Sequence, residues 1–128
     1  MDRIKIGGQS MIKGLGIDLT EISRVGELAS KHPQFLDRVL TTAEQKQYHG
    51  FTAQRALEYL AGRWSLKESF AKAWGTGIGK AVGFQDVEIL DSRLGKPVVT
   101  RSPFAGRVHA SVSHTGSLVM TEIILETD

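Results

Sequence analysis

Three charged residues of this 128-residue sequence have the types and positions that phosphate chemistry requires. Asp18 ends an apolar segment, and Glu68 and Lys72 lie four residues apart in a stretch of helical pattern, where they share one helix face. Magnesium prefers hard oxygen ligands and often takes only one or two carboxylates, with water and substrate phosphates completing its shell. Two carboxylates from distant segments and a lysine therefore favour a magnesium site for a diphosphate. For Glu68 and Lys72 alone, the alternative is a surface ion pair worth about 0.3–0.5 kcal/mol.

A glycine-rich run, GTGIG at 75–79, superficially resembles a phosphate-binding loop. Dinucleotide-binding fingerprints follow a strand and open a helix, whereas this run closes a helical segment. The usual arrangement of amides that point at a pyrophosphate is therefore missing. By itself, the run indicates a helix C-cap followed by a turn.

A polar cluster closes a predicted strand near the C-terminus and consists of Ser111, Ser113, His114 and Thr115. A lone histidine at such a position is commonly structural. A serine hydrolase is disfavoured, because neither serine lies in a G-x-S-x-G elbow and adjacent residues of a strand point to opposite sides. The cluster is better suited to holding a ligand.

The composition excludes several classes of function. Sixteen lysines and arginines against 14 acids give a net charge of +2, which is no electrostatic reason to expect a nucleic-acid partner. The absence of cysteine excludes disulfides, thiolate zinc sites and cysteine nucleophiles. No apolar run approaches the roughly 20 residues that cross a membrane, and the opening lacks the apolar stretch of a signal peptide. We therefore expect a cytoplasmic protein with no membrane partner.

The N-terminal half contains the signals of a strand and several helices. Segment 11–18 predicts a short strand that ends at its acid. Thr20 is predicted to cap a helix of regular apolar spacing, whose far end is limited by Pro33. Thr41 and Glu44 have the spacing of a capping box, so a short helix should begin there.

A long central helix is predicted over 53–74, with Gly75 as its C-cap. The pattern then changes to strands separated by turn residues, over 84–90, 97–101, 107–113 and 118–126. In the last strand apolar residues fall on both faces, which suggests a helix on one side and another subunit or layer on the other. Helices followed by strands indicate an α+β fold. We expect one domain over 11–128 and a leader or artificial extension over 1–10, outside the fold.

Several separated segments together resemble one family, the holo-acyl-carrier-protein synthases, which are small 4'-phosphopantetheinyl transferases. The combination is specific although each fragment alone is not, and the segments follow the family's order from Met11 over nearly the whole chain. They are GLGIDLTEISR (14–24), RVLTTAEQ (38–45), EYLAGRWSLKESFAKAWGTGIGK (58–80), FQDVEIL (84–90), LGKP (94–97) and VHASVSHT (108–115).

The resemblance implies transfer of the phosphopantetheine arm from coenzyme A to a serine of apo-acyl carrier protein, which releases adenosine 3',5'-bisphosphate and supports fatty acid biosynthesis. It also implies dependence on Mg2+ and a homotrimer whose active sites lie between subunits. The implied fold is phosphopantetheinyl transferase-like. In that fold, an N-terminal strand and helices accompany a long central helix, which packs on a C-terminal antiparallel sheet.

The family's functional positions carry over to matching residues of this chain. Asp18 and Glu68 match the metal ligands and, together with Lys72, the catalytic residues. The resemblance leaves two candidates for the base that deprotonates the serine, which are Glu68 and a metal-bound water. The coenzyme A site is implied to contain Arg63, Lys72, Gly75, Thr76, Gly77, Pro97, Ser113, His114 and Thr115.

Arg24 and Arg38 match a basic surface that meets the acidic carrier protein, and the alternative for them is an ordinary solvated helix face. One departure concerns Ala71, where many members have serine, so that a hydroxyl contact does not carry over.

Two other functions remain compatible with the residues themselves. A magnesium-dependent phosphohydrolase would use the same carboxylates on water. A non-catalytic oligomeric binding module would use the basic helix for docking and the polar cluster for capping. The sequence does not indicate which carrier proteins are accepted or whether acylated coenzyme A is tolerated.

Overall fold

A computed structural model of the chain describes residues 9–128. The expected leader over 1–10 thus falls almost entirely outside the described residues, and its status stays a prediction. The elements in chain order are β1 (Ile12–Glu21), α1 (Ile22–Lys31), α2 (Phe35–Val39), α3 (Thr42–His49), α4 (Ala53–Trp74), a 3-10 turn (Phe84–Asp86), β2 (Glu88–Asp91), β3 (Pro97–Arg101), β4 (Arg107–His114) and β5 (Leu118–Glu126).

The main sheet consists of three antiparallel strands in the order β1-β5-β4, and helix α4 packs across one of its faces. Alternate residues of β5, including Ile123 and Leu125, are buried against Leu66 and Phe70 of the helix, as the two-residue period of a strand requires. These features confirm the predicted α+β fold. The N-terminal strand joins the C-terminal strands in one sheet, a pairing that the sequence pattern did not indicate.

The strands β2 and β3 form a separate hairpin. The predicted strand over 84–90 is wrong in its first half, because Phe84–Asp86 is a 3-10 turn and β2 begins only at Glu88. The carboxylate of Asp86 accepts a hydrogen bond from the backbone N–H of Gly83 at 2.8 Å, which stabilises the local turn in place of a strand.

The helix boundaries largely follow the sequence signals. Helix α4 has the predicted length and ends at Gly75, whose φ of 108° suits a residue without Cβ. The capping box of α3 is formed, with the N–H of Thr41 donating to Glu44 Oε1 at 2.8 Å. Helix α1 stops short of Pro33. Over residues 9–128, no helix is both long and apolar enough to cross a membrane.

Strand β1 is longer than the sequence predicts and continues to Glu21. The prediction that Thr20 caps α1 is wrong, because Thr20 lies within the strand and its hydroxyl donates to Asp18 Oδ2 at 2.5 Å. Glu21 occupies the N-cap position without a side-chain hydrogen bond, so the strand passes directly into the helix.

The second face of the main sheet, called the outer sheet face below, is open in a single chain. Leu15, Ile17 and Leu19 of β1 and Met120 of β5 are each more than half exposed there. The predicted two-sided strand is thus confirmed for β5, whose inner side is covered by α4. A row of exposed apolar side chains on one face is typical of a surface that another chain or layer covers.

Candidate active site

Asp18, Glu68 and Lys72 come together at one open cavity of about 340 Å³. Trp64 and Arg24 also line this carboxylate cavity. Asp18 comes from β1, Arg24 from α1 and the other three from α4. The structure therefore brings together the three residues on which the predicted metal and phosphate chemistry depends.

Two glycines of β1 allow the strand to touch the backbone of α4. A Cβ added at Gly16 would lie 1.9 Å from the carbonyl oxygen of Ser69, and one at Gly14 would lie 2.1 Å from that of Ala73. Real Cβ atoms do not approach so closely, so only glycine fits at these positions. This contact sets the separation between Asp18, two residues after Gly16, and the helix that carries Glu68.

The two carboxylate oxygens of Asp18 have different partners. Oδ2 accepts hydrogen bonds from the hydroxyls of Thr20 at 2.5 Å and Ser65 at 2.7 Å. Oδ1 is 3.3 Å from the ammonium of Lys72, which also donates to the carbonyl oxygen of Ile17 at 3.0 Å. The simple Glu68–Lys72 ion pair is not formed in the described structure, since Lys72 pairs with Asp18.

Glu68 is partly buried and lies close to a second carboxylate. Burial raises the pKa of the Glu68 carboxyl, the charge of Asp18 raises this pKa further, and the ammonium of Lys72 opposes the shift. Among residues 9–128, no side chain or backbone group donates a hydrogen bond to the carboxylate of Glu68. One lysine thus faces two carboxylates, and a divalent cation with a preference for oxygen ligands fits this donor set.

A second cavity, of about 190 Å³, lies against another part of α4 and is called the arginine cavity. Arg63, Pro97 and His114, all predicted to contact coenzyme A, line it together with Arg55 and Asp91. The structure therefore brings these three predicted residues together.

Arg63 is the most buried of the cations in the arginine cavity, with 3% of its surface exposed. It donates to Asp91, and its guanidinium carbon lies 4.2 Å above the centre of the Tyr59 ring. Its Nε atom is buried without a hydrogen-bond partner in the described structure. A buried donor without a partner costs free energy in the single chain.

The two cavities are separate within one chain. Arg63 and Glu68 are five residues apart, and at about 100° per residue their side chains point roughly 140° apart around the helix. The predicted site residues thus fall into two groups on different sides of α4. The sequence resemblance alone does not reveal this division, because both groups lie in one continuous motif.

The glycine segment after α4 is used as a helix cap. The N–H groups of Gly75, Thr76 and Gly77 all donate to the carbonyl oxygen of Ala71, at 3.0, 3.2 and 3.1 Å. Gly75 and Gly77 have positive φ values of 108° and 72°, which explains both glycines. In this arrangement the three amides are already bonded, as the cap interpretation expects.

Ser113 and Thr115 lie close to His114 in sequence but have different surroundings. Ser113 is exposed at the end of β4, opposite Met120 of β5. The hydroxyl of Thr115 accepts hydrogen bonds from the N–H groups of Ser117 and Leu118, at 3.2 and 3.1 Å, and so orders the turn between the strands.

The two predicted docking arginines lie on neighbouring parts of the surface. Arg24 reaches the carboxylate cavity, whereas Arg38 lines a mainly apolar cavity of about 250 Å³ with Leu28 and Trp64. Leu28 and Trp64 belong to both cavities, which are therefore adjacent. The ring of Trp64 is stacked on two neighbours, Phe35 and Phe84, at centroid distances of 5.5 and 5.0 Å.

A buried ion pair beside the site was not indicated by the sequence. Lys67 is fully buried and donates to Glu44 Oε1 at 2.6 Å, to the carbonyl oxygen of Val39 at 2.7 Å and to that of Phe84 at 3.0 Å. Burial lowers the pKa of Lys67, and the charge of Glu44 opposes this shift. The only sequence signal was the capping-box position of Glu44, which does not predict a lysine partner.

The comparisons with known proteins all lead to one family. The model of the 4'-phosphopantetheinyl transferase superfamily matches residues 14–123. A holo-[acyl-carrier-protein] synthase of Limosilactobacillus reuteri is 63% identical over 118 residues, which cover 92% of this chain and 98% of that protein. Its counterpart from Levilactobacillus brevis is 54% identical over 116 residues, with 91% and 95% covered.

Solved structures agree with the sequence relatives. The chain is similar to a holo-(acyl-carrier-protein) synthase from Bacillus anthracis in complex with CoA (3',5'-ADP), with a TM-score of 0.84, 38% identity and coverage of 92% of this chain and 99% of that one. It is also similar to the Helicobacter pylori enzyme in complex with coenzyme A, with a TM-score of 0.74, 28% identity and coverage of 85% and 96%.

Proposed function

The chain belongs to the 4'-phosphopantetheinyl transferase superfamily, and from this premise we propose that it modifies acyl carrier protein. It transfers the 4'-phosphopantetheine group from coenzyme A to a serine of apo-acyl carrier protein, and the products are holo-acyl carrier protein and adenosine 3',5'-bisphosphate. This reaction supports fatty acid biosynthesis. The observation that carries the conclusion is 63% identity over nearly the full length of a holo-[acyl-carrier-protein] synthase.

The carboxylates of Asp18 and Glu68 are proposed to hold Mg2+. They line the same cavity, supply only oxygen ligands and have one lysine between them as a counter-charge. When bound, the cation supplies charge neutralisation for the diphosphate of coenzyme A. Both carboxylates are then used as ligands, which accounts for the unneutralised charge around Glu68.

Glu68 is the better placed of the two acids to accept the proton of the incoming serine. Both carboxylate oxygens of Asp18 have partners within the chain, whereas the carboxylate of Glu68 has no hydrogen-bond donor among the described residues. Glu68 Oε therefore takes the proton as the serine oxygen bonds to phosphorus. The bond from phosphorus to the bridging oxygen breaks, and adenosine 3',5'-bisphosphate leaves with that electron pair.

Lys72 contributes a fixed positive charge at the edge of the carboxylate cavity. Its side chain is half exposed, so its ammonium is within reach of a phosphate as well as of Asp18. The arginine cavity is proposed to hold the nucleotide end of coenzyme A through Arg63, Pro97 and His114, with Ser113 and Thr115 nearby. Gly75, Thr76 and Gly77 line neither cavity within one chain, and they are proposed to contact another part of coenzyme A.

The active site is proposed to be completed between copies of the chain in a homotrimer. Two observations support this assembly: the predicted site residues occupy separate cavities in one chain, and the outer sheet face exposes a row of large apolar side chains. Burying apolar surface contributes roughly 25 cal/mol per Å². Light scattering at working concentration is expected to give the mass of three chains, and a stable, active monomer would contradict the proposal.

The carrier protein is proposed to dock beside the carboxylate cavity. Arg24 lies at that cavity and Arg38 at its apolar neighbour, so both cations flank the place where the serine must arrive. Positive charge at these positions complements an acidic carrier protein. A soluble carrier and substrate agree with the proposed cytoplasmic location.

The decisive experiment is mass spectrometry of apo-acyl carrier protein after incubation with this protein, coenzyme A and Mg2+. The carrier should gain the mass of one phosphopantetheine group, and adenosine 3',5'-bisphosphate should form only when the carrier is present. Release of the bisphosphate without carrier would instead identify a phosphohydrolase. An unmodified carrier and intact coenzyme A would indicate a binding module.

A further inference from the structure

Three buried hydroxyl groups form a chain behind the carboxylate cavity. Ser65 Oγ lies 2.8 Å from Thr121 Oγ1, which in turn lies 2.7 Å from Ser69 Oγ. Ser65, Ser69 and Thr121 each expose at most 1% of their surface. Ser65 and Ser69 belong to successive turns of α4, and Thr121 comes from β5. We call these three residues the hydroxyl chain.

The direction of the hydrogen bonds in the hydroxyl chain is fixed at one end by Asp18. A hydroxyl has one hydrogen to donate, and the carboxylate Oδ2 of Asp18 accepts that of Ser65 at 2.7 Å. Ser65 therefore accepts from Thr121, and Thr121 Oγ1 accepts from Ser69 at 2.7 Å, the shorter of two contacts of the Ser69 hydroxyl, whose other acceptor is the carbonyl oxygen of Thr121 at 3.2 Å. Every hydroxyl donates toward Asp18, and such an aligned chain strengthens its terminal bond.

We propose that Ser65, supported by Thr121 and Ser69, is a positioning residue that orients the Asp18 carboxylate toward the bound cation. The inference rests on the proposed role of Asp18 as a metal ligand. The hydroxyl chain connects Asp18 on β1 to both α4 and β5, which are the elements that surround it. It thereby ties Oδ2 to the core and leaves Oδ1 on the side of Lys72 and the cavity.

Without Ser65, the remaining bond to Oδ2 would be less constraining. Thr20 also donates to this oxygen, but it lies only two residues away on the same strand. A bond within one strand does not fix the carboxylate relative to Glu68, which is on α4. The contact from Ser65 does, because Ser65 is three residues before Glu68 on the same helix. Groups that orient a metal ligand typically change metal affinity by about 10–100-fold when removed.

The test is calorimetric titration of the assembled protein with Mg2+ in the presence of coenzyme A, using variants along the hydroxyl chain. Ser65→Ala should weaken Mg2+ binding about 10-fold. Thr121→Val keeps the shape of the side chain and removes its hydroxyl, and it should weaken Mg2+ binding about 3-fold. Ser69→Ala should weaken Mg2+ binding less than Thr121→Val, because Ser69 is separated from Asp18 by one more hydrogen bond. In steady-state kinetics, Ser65→Ala should raise the Mg2+ concentration required for half-maximal rate while kcat at saturating Mg2+ stays close to wild type.

A separate buried hydroxyl provides the matched control for stability. Thr41 is buried, caps α3 and donates to Glu88, away from the carboxylate cavity. Thr41→Val should lower the melting temperature and leave the affinity for Mg2+ unchanged. Wild-type affinity in folded Ser65→Ala would overturn the inference. If Ser65→Ala does not fold, a wild-type affinity for Mg2+ in Thr121→Val would overturn the inference.

The Asp18→Asn variant separates this inference from the proposed function. If wild type binds Mg2+ and Asp18→Asn does not, the metal site stands and the Ser65 and Thr121 variants decide the inference. If Asp18→Asn binds Mg2+ as tightly as wild type, Asp18 is not a ligand and the positioning role fails with it. Transfer of phosphopantetheine in the mass-spectrometric assay is measured independently of either result.

Discussion

Helix α4 holds two clusters of lysine and carboxylate, and these clusters differ in how completely their charges are used. The closed cluster consists of Lys67 and Glu44, both fully buried. The three donors of Lys67 have three acceptors, and Glu44 accepts from Thr41 and Ile89 as well. The open cluster consists of Asp18, Glu68 and Lys72, where two carboxylates face one half-exposed lysine.

The structural ion cluster differs from the proposed metal site in whether the hydrogen-bonding and charge partners of each group lie within the chain. In the closed cluster each charge is neutralised within the chain, so the cluster requires no ligand and has no free group to bind one. In the open cluster, burial and the charge of Asp18 raise the pKa of Glu68 and so disfavour its ionised form, a cost that the proposed cation would offset. Residue types alone do not separate the two, since both contain lysine and glutamate.

Removal of the negative charge of Glu68 should have the largest effect on activity. Glu68→Gln should lower kcat about 10²–10⁴-fold, because it removes the proposed metal ligand and the proposed base together. The rate of holo-carrier formation at saturating coenzyme A and Mg2+ measures this effect, and circular dichroism verifies the fold. Near-normal turnover would show that the open cluster is not the reacting centre.

The same logic predicts a large loss of stability for the closed cluster. Lys67→Met leaves Glu44 buried without its counter-charge and should cost about 3–5 kcal/mol of unfolding free energy. Lys72→Met is the matched control, since Lys72 is half exposed and should cost less than about 1 kcal/mol. Urea denaturation of both variants measures their unfolding free energies relative to wild type. Equal losses would mean that the two lysines do not differ in the way that their contacts indicate.

The contact that positions the open cluster can be tested separately. Gly16→Ala inserts a methyl group against the carbonyl oxygen of Ser69 and should destabilise the protein by about 1–3 kcal/mol. It should also weaken Mg2+ binding, because β1 must move away from α4. Gly50→Ala is the control, with a φ of −84° and 3.4 Å to the nearest atom. If Gly16→Ala loses no more stability than this control, the backbone contact is not a constraint.

The smallest expected effect is the dependence of stability on pH in the absence of Mg2+. The pKa of Glu68 is raised above its ordinary value of 4.5, so the folded state binds more protons than the unfolded state above that pH. The free energy of unfolding should therefore decrease as the pH rises through this window. Glu68→Gln lacks the effect, so thermal unfolding of wild type relative to the variant should show the decrease. A difference that grows in the opposite sense would contradict the assigned shift.

Much of the architecture could be predicted from local signals. The bounds of α4, its glycine cap and the capping box of α3 follow from backbone conformation and neighbouring side chains, which the sequence displays directly. Thr20 was misassigned for the same reason, because a threonine before an apolar helix has the local features of a cap. Its hydroxyl instead donates a hydrogen bond to Asp18. This contact forms because β1 stays paired with β5 as far as Glu21, which keeps Thr20 within the strand.

The residues of the candidate site could be predicted from the sequence, but their arrangement in space could not. The family resemblance named Asp18, Glu68 and Arg63, and their roles stay proposals. It did not indicate that Arg63 and Glu68 line separate cavities in one chain, which follows from their spacing around α4. The hydroxyl chain and the Lys67–Glu44 pair depend on contacts between residues more than 20 positions apart. No local sequence pattern predicts such contacts.

The adjacency of Lys67 and Glu68 restricts how the protein moves. Any rotation of α4 about its axis that shifted Glu68 would also pull Lys67 from its three acceptors. Hydrogen exchange at the middle of this helix should accordingly require opening of the whole molecule, at the slowest rate in the chain. Glu68, next to the buried Lys67, therefore keeps its position for as long as the protein stays folded.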